Sequence, residues 1–265
     1  MLWKPKSPLE PTDEDWQLAC WGWLFENFSS THPISETPLI QPNGTYFPST
    51  DLTGHDKAQF IFELVARYMR VPTEGFKLVP QQETVDPRAS NLLIVQNAPT
   101  SPAGTFQLHT NNELTITYDP AGLDRPIQFI ATLAHEISHA LLFTTREAPP
   151  GGDDCEEFAT DLAVTYFGFG LFGANSAFEF RQFSDMGSGM QGWESRRLGY
   201  LTEAEWGFSL AVFLLVSGRD EAEISGLLKP APSAHLKKSL KYLRKNKHLW
   251  QGLNGSQLPD SPVTA

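Results

Sequence analysis

The chain has 265 residues, of which 40% are hydrophobic and 19% charged, and its formal net charge is −11 at pH 7. This composition is typical of a folded globular protein, and the length allows one core with helical additions. The strong negative charge argues against nucleic acids and anionic membranes as partners. The sequence shows neither an apolar signal segment nor a run of roughly 18 apolar residues. With only two cysteines, which make no disulfide framework, we expect a cytoplasmic protein.

The first part of the chain predicts two helices joined by a surface connection. Residues 12–28 carry aromatic and apolar side chains at helical spacing, with Thr12 as the expected N-cap. We expect this helix to pack against the main domain. Residues 31–48 are rich in proline, asparagine and glycine, which indicates a surface loop. A second helix is predicted over residues 55–69, where Val71-Pro72 stops it.

Four short strands are predicted next, over residues 76–79, 91–95, 105–108 and 113–118. The last of them alternates apolar and polar side chains, as a half-buried strand does. Asn111-Asn112 lies between the last two strands and is a hairpin turn signal. The pattern therefore predicts a small, mostly antiparallel sheet that leads directly into a helix.

The helix after the sheet contains the sequence His-Glu-x-x-His. Residues four apart lie on one face of a helix, so His135 and His139 can direct their imidazoles at one metal ion. Zinc suits such ligands best. Glu136 projects about 100° away from His135, where it can reach a water on the metal and act as a general base. Asp124 is the expected N-cap, with Pro126 in the first turn. The alternative is that the two histidines make ordinary hydrogen bonds in the core.

A further helix is predicted after the loop at residues 149–152, and it carries Glu157 and Asp161 four residues apart. The two-part pattern resembles the gluzincin metallopeptidases (thermolysin-like and minigluzincin proteins), in which His-Glu-x-x-His is followed by a helix with Glu-x-x-x-Asp. The resemblance covers residues 130–163. It implies that Glu157 is the third metal ligand. It also implies that Asp161 accepts the other ring N–H of a ligand histidine, His135.

Two alternatives exist for this half of the site. Glu156 competes for the ligand role, but with Asp153 as N-cap it would occupy the third helical position, where a carboxylate is favourable. Only Glu157 has an aspartate four residues further on. A metzincin site is excluded, because that family needs glycine and histidine at positions that hold Leu142 and Thr145 here.

The resemblance also has implications for fold and activity. It implies a zincin-like α+β fold, with a small sheet packed on the active-site helix and one sheet edge (105–108 or 113–118) along a cleft for an extended peptide. It implies one Zn²⁺ per chain and hydrolysis of a peptide or protein substrate. A tyrosine or histidine should stabilise the oxyanion. No motif locates this residue. The candidates are Tyr166, Tyr200, His235 and the pair Arg196-Arg197. The segment 196–200 holds three of them and is therefore the first choice.

The C-terminal part predicts more helices. Residues 183–193 are rich in glycine and form a candidate lid. Thr202 and Glu205 predict a capping box that opens a helix up to residue 216, and a short helix follows at 220–228. Residues 233–247 predict a basic amphipathic helix that could dock a protein partner, although such a face is commonly only solvated.

The elements group into four parts: an N-terminal helix and extended connection (1–50), a zincin-like catalytic domain (51–200), C-terminal helices packed on it (201–250) and a disordered tail (251–265). The leading hypothesis is a zinc metallopeptidase. The main alternative is a zinc-binding regulatory or protein-interaction module with a zincin fold and little or no proteolytic turnover. Glu136 favours the enzyme, because a purely structural metal site has no need of that carboxylate.

Overall fold

A computed structural model of the chain describes residues 6–81, 104–108, 114–177 and 200–253. Helices dominate this part of the chain, and together with three strands they confirm a mixed α+β class. None of the described helices is long and apolar enough to cross a membrane. The helices are α1 (Pro11–Phe28), α2 (Gly54–Tyr68), α3 (Pro126–Leu142), α4 (Glu156–Tyr166), α5 (170–177), α6 (Glu203–Ser217) and α7 (Pro230–Leu243). The strands are β1 (Phe76–Pro80), β2 (Gly104–Leu108) and β3 (Leu114–Tyr118).

The described strands form a mixed sheet in the order β1-β3-β2. β3 pairs in parallel with β1, from Phe76 opposite Leu114, and antiparallel with β2, from Leu108 opposite Leu114. The expectation of a mostly antiparallel sheet is therefore not met by the described strands. A parallel pair needs a connection of a dozen or more residues. The segment 81–113, which connects β1 to β3, is longer than that. The strand predicted at 91–95 and the Asn111-Asn112 turn lie outside the described residues.

The predicted helices are present except at 220–228, where the structure has only a short 3-10 helix, Glu221–Ile224. The basic helix predicted at 233–247 runs from Pro230 to Leu243, and most of the other first residues differ from expectation. α1 begins at Pro11 with Glu10 as N-cap, so Thr12 is not the cap. α3 begins at Pro126 with Arg125 as N-cap, and not with Asp124. Both starts follow from proline, whose fixed φ and missing N–H suit the first helical position. α6 begins as predicted, since the Thr202 hydroxyl accepts the Glu205 N–H at 3.3 Å and the Glu205 carboxylate accepts the Thr202 N–H at 2.7 Å.

α3 lies at the centre of the core. Every residue from Phe129 to Ser138 is buried, and the helix packs against α2, α4 and β2. α1 packs on α4, as expected for the N-terminal helix, and α6 packs on both α4 and α7. The two helices that carry the sequence motifs, α3 and α4, therefore face each other inside a shell of other elements.

The turn after α4 depends on a glycine. Gly168 has φ +94°, and a Cβ on it would lie 2.0 Å from the Pro38 carbonyl oxygen. The Gly168 carbonyl accepts the Ile40 N–H at 2.9 Å.

We expect Gly168→Ala to lower the free energy of unfolding by about 2 kcal/mol or more, because the strain at positive φ and the clash with the Pro38 backbone add. Urea denaturation measures the free energy of unfolding. Gly22→Ala is the control, since that α1 position is open, and it should be neutral or slightly stabilising. Equal stabilities of the two variants would contradict the contact with Pro38.

Candidate metal centre

Three potential metal ligands meet where α3 faces α4. His135, His139 and Glu157 each offer one ligand atom, and these atoms lie within 4.8 Å of one another. The two histidine Nε2 atoms are 3.1 Å apart. Glu157 Oε2 lies 3.1 Å from Nε2 of His135 and 3.5 Å from Nε2 of His139. This group could hold a metal ion.

Asp161 holds the far side of the His135 ring. Its Oδ1 lies 2.9 Å from Nδ1 of His135, and its Oδ2 accepts the Leu201 N–H at 2.9 Å. Both side chains are buried. A carboxylate accepts hydrogen bonds, so Nδ1 carries the hydrogen and Nε2 of the neutral ring carries the lone pair. Asp161 therefore lies where its predicted role requires.

Thr160 contacts Nδ1 of His139, as Asp161 contacts Nδ1 of His135. The sequence patterns did not single out Thr160. The Thr160 hydroxyl donates to the Glu156 carbonyl at 2.9 Å, and its oxygen lies 3.3 Å from Nδ1 of His139. Because its hydrogen is used on the carbonyl, the hydroxyl oxygen accepts the Nδ1–H of His139. The Nε2 of His139 is then also a lone pair. A signal was present in the sequence, since Thr160 is one helical turn from Glu157 and so faces the same way.

The two hydrogen-bond networks thus aim two imidazole lone pairs and one carboxylate oxygen at a single point. Three electron-rich atoms at 3.1–3.5 Å repel one another unless a positive charge lies between them. A proton or a metal ion can supply it. The centre is therefore built to hold a cation.

Glu156 occupies a different place from Glu157. α4 begins at Glu156, and residues 152–155 form a short 3-10 helix, so Asp153 is not the N-cap and Glu156 is not at the third position. The Glu156 side chain is 58% exposed, against 24% for Glu157. Its Oε1 lies 3.8 Å from Nδ1 of His139, on the side away from the cluster. This geometry favours Glu157 over Glu156 as the third ligand.

The acid–base properties of the cluster reflect the same crowding. Burial by itself lowers the pKa of His135, but the hydrogen bonds and charges of Asp161 and Glu157 outweigh it and hold that pKa well above its ordinary value. Burial also lowers the pKa of His139, but Glu156 and Glu157 outweigh this effect, so the pKa of His139 is raised as well. For Glu157 burial favours the neutral form, yet the two histidines reverse this and hold its pKa far below the usual range. Without a metal ion, the centre therefore retains a proton on its imidazoles to unusually high pH.

We expect metal affinity to fall as the pH falls, beginning above the ordinary histidine pKa of about 6.5. A metal ion binds the neutral imidazole, so it must displace the proton. Since the pKa of His135 and that of His139 are raised, affinity is complete only above those raised values and is lost as the pH decreases through them. Competition with a chromophoric chelator between pH 8.5 and 5.5 measures this. A constant affinity from pH 8 to pH 6 would contradict the expected proton competition.

Glu136, the expected general base, lies beside the cluster. Its side chain is 3% exposed. It lines a small cavity of about 20 Å³ together with His135 and Tyr200, and a space of this size holds about one water molecule. The remaining lining residues are Thr132, Asp161, Gly173 and Trp206. The structure therefore places the Glu136 carboxylate next to His135 and a water-sized space. Asp161 lines this space and neither His139 nor Glu157 does, so the space lies on the Asp161 side of the His135 ring.

The oxyanion candidates separate into three groups. Tyr200 lies at the site, with its ring centre 5.7 Å from that of His135. Arg196 and Arg197 fall outside the described residues. Tyr166 is not part of the site: it donates its hydroxyl hydrogen to the His32 carbonyl at 3.0 Å. It follows Glu157 by nine residues, about half a turn around the helix, so it faces α1 instead of the cluster. His235 lies on α7 near Gly207 of α6 and does not line the cavity.

The start of α4 is held by the N-terminal helix. The Trp16 indole N–H donates to the Pro150 carbonyl at 2.7 Å, in the loop before α4. The Trp16 ring also meets Phe158 edge-on, with centres 5.9 Å apart. Phe158 follows Glu157 directly in the chain. α1 therefore helps to fix the position of the third candidate ligand, although it contributes no ligand itself.

Asp161→Asn is expected to weaken metal binding about 10- to 100-fold, the usual effect of removing a carboxylate behind a ligand histidine. The amide no longer carries the charge that holds the Nδ1–H of His135. Asp153→Asn is the matched control, because Asp153 is exposed in the loop before α4 and should bind metal like the wild type. Calorimetric titration of the metal-free proteins compares them. Equal affinities in the two variants would remove Asp161 from this role.

Comparison with known proteins gives no assignment: no family model, no curated protein and no solved structure matches this chain. The resemblance to gluzincins is therefore carried only by the His-Glu-x-x-His and Glu-x-x-x-Asp residues, and the family remains a prediction.

Proposed function

We propose that this protein is a zinc-dependent metallopeptidase of the gluzincin type, with a zincin-like fold. The observation that carries the proposal is the convergence of Nε2 of His135, Nε2 of His139 and Oε2 of Glu157, together with the buried carboxylate of Glu136 next to His135 in the chain. A structural metal site has no use for that carboxylate.

The donor set fits zinc. Tetrahedral zinc with ligand distances of about 2.0–2.1 Å separates its ligand atoms by about 3.3 Å, and the three separations here are 3.1, 3.1 and 3.5 Å. Two imidazoles and one carboxylate leave the fourth position open, which is the pattern of catalytic zinc sites. Calcium and magnesium prefer shells made of oxygen ligands.

When bound, zinc would polarise a substrate carbonyl and make a water molecule more acidic. The residues of the chain supply the proton transfers and the positioning. Glu136 would accept the proton of the attacking water and deliver it to the leaving amine. Asp161 and Thr160 would keep the two imidazoles in orientation through their Nδ1 atoms. Tyr200 is the described residue that we assign as donor to the oxyanion.

A second function, a zinc-binding interaction module with little or no turnover, is favoured by two observations. The described cavity at Glu136 has a volume of about 20 Å³, which accepts a water but no amino-acid side chain. In addition, exposed lysines lie along α7 and just after it, and Arg244, the first residue after α7, forms an ion pair with Glu221 at 2.8 Å. An acidic protein partner is the complement of such a surface. The exposed lysines are Lys237, Lys238 and Lys241 on the helix and Lys245 and Lys247 just after it.

The two functions separate in one experiment. The zinc-loaded protein is incubated with a diverse peptide library, and new termini are identified by mass spectrometry. The peptidase proposal predicts cleavage that a chelator abolishes and that added zinc restores. Zinc bound to a folded protein that cleaves no peptide in the library would favour the interaction module.

A further inference from the structure

The basic segment near the C-terminus is a sequence motif that the metal centre does not use. Residues 224–253 contain seven lysines and arginines and no aspartate or glutamate. The whole chain has a net charge of −11, so this segment reverses the sign that the rest of the chain carries. Such a concentration of one charge attracts groups of the opposite sign.

α7 presents part of this charge on one outer side. Its inner face is buried and packs on α6. Lys237 and Lys238 lie four and three residues before Lys241, and these spacings place side chains on one side of a helix. We define the lysine stripe as the exposed lysines of α7 and of the residues just after it, namely Lys237, Lys238, Lys241, Lys245 and Lys247.

The lysine stripe is not neutralised by the described part of the chain. No ion pair there involves any of its five lysines. The carboxylates near α7 have other contacts: Glu221 pairs with Arg244 at 2.8 Å, and the buried Glu14 accepts the Tyr242 hydroxyl at 2.9 Å. Asp15 also lies near Tyr242, but among the described residues no ion pair joins it to the stripe. The stripe therefore keeps its charge for a partner.

The backbone that carries the stripe is fixed before any partner binds. α7 approaches α6 so closely that a Cβ on Gly207 would lie 2.7 Å from Cβ of His235. At the other end of α7, the Trp250 indole N–H donates to the Leu243 carbonyl at 3.0 Å. A partner would therefore order only lysine side chains, which lowers the entropic cost of binding.

The size of the stripe favours a short partner segment. From Lys237 to the end of α7 at Leu243 it extends for about 9 Å, close to the Debye length of about 8 Å at physiological ionic strength. A DNA duplex or a membrane surface extends much further and would also face the acidic remainder of the chain. A short acidic peptide segment meets the lysines alone.

We propose that the lysine stripe docks an acidic segment of a partner protein. Carboxylates of that segment would pair with the lysines of α7, and the acidic remainder of the chain would repel other polyanions. The proposal stands on α7 alone and holds whether or not the metal centre is catalytic, because the candidate metal ligands lie on α3 and α4.

Fluorescence anisotropy with a labelled peptide of five Glu-Ala repeats tests the proposal, with five Gln-Ala repeats as the uncharged comparison. At about 50 mM salt the glutamate peptide should bind saturably, and the glutamine peptide at least about tenfold more weakly. Binding of the glutamate peptide should weaken as salt is raised, since the contacts are exposed.

A triple variant locates the binding surface. Lys237→Gln with Lys238→Gln and Lys241→Gln should weaken binding of the glutamate peptide by about tenfold or more, since three exposed ion pairs of modest strength are lost together. All three side chains are exposed, so the variant should fold, as circular dichroism can verify. The charge-matched control is Lys57→Gln with Lys77→Gln and Arg146→Gln, which lie outside α7 and should change binding less than about twofold.

Four outcomes would overturn the proposal. The glutamate peptide might fail to bind saturably or bind no better than the glutamine peptide. The two triple variants could lose binding equally, which would make net charge the cause. Tighter binding of a short DNA duplex or of phosphatidylserine vesicles would assign the stripe to a different partner. Loss of peptide binding in Glu157→Ala would place the peptide at the metal centre instead.

Discussion

Replacing Glu136 with glutamine is expected to lower kcat for zinc-dependent peptide hydrolysis by about 10²- to 10⁴-fold, the usual contribution of a general base. The amide has nearly the same shape but cannot accept the proton of the attacking water. Because Glu136 is not one of the three clustered donors, the variant should still bind zinc like the wild type. Hydrolysis of a peptide found in the library screen measures the first effect, and calorimetry measures the second.

Glu156→Gln is the matched control for this experiment. Glu156 is also a glutamate near the cluster, but it is 58% exposed and lies on the Nδ1 side of His139. Its replacement should change kcat less than about threefold, as surface substitutions usually do little. Retention of wild-type kcat in Glu136→Gln, with zinc bound, would rule out Glu136 as the base. A large loss in Glu156→Gln would mean that the roles of the two carboxylates have been misassigned.

Glu157→Ala should lower zinc affinity by more than about 100-fold, because even a residue behind a ligand contributes 10- to 100-fold. Glu157 Oε2 lies within 3.5 Å of both histidine Nε2 atoms, so its loss removes one corner of the ligand triangle. Hydrolysis should disappear together with the metal. Competition with a chelator of known affinity measures the change.

The neighbouring glutamate again supplies the comparison, now as Glu156→Ala. Its zinc affinity should stay close to that of the wild type, since its carboxylate lies 3.8 Å from the wrong nitrogen of His139. The opposite outcome, with zinc lost in Glu156→Ala and retained in Glu157→Ala, would contradict the assigned third ligand.

The candidate site was predictable because its spacing is local. Two residues four apart on a helix share a face, which brings His135 and His139 together and, on the next helix, Glu157 and Asp161. The sequence alone could not show that these two helix faces meet. The resemblance supplied that expectation, and the short distances between the helices are consistent with it.

The misses have a common cause, which is long-range packing. Tyr166 was a candidate because of its residue type, but its position on α4 turns its ring towards Trp21 and Phe25 of α1. The bond from Trp16 to Pro150 joins residues 134 positions apart, and no local pattern predicts it. The parallel pairing of β1 with β3 is also a property of the connection between them and not of either strand. Thr160 lies one helical turn from Glu157, but its contact with His139 joins α4 to α3, and the sequence does not show that these two helix faces meet.

The most direct test of the central claim is the metal content of the purified wild-type protein, measured by elemental mass spectrometry after dialysis against metal-free buffer. Three donor atoms that converge within 4.8 Å predict about one zinc per chain. A folded protein without zinc, which also takes up none when zinc is added at pH 8, would contradict the metal centre and with it the proposed peptidase.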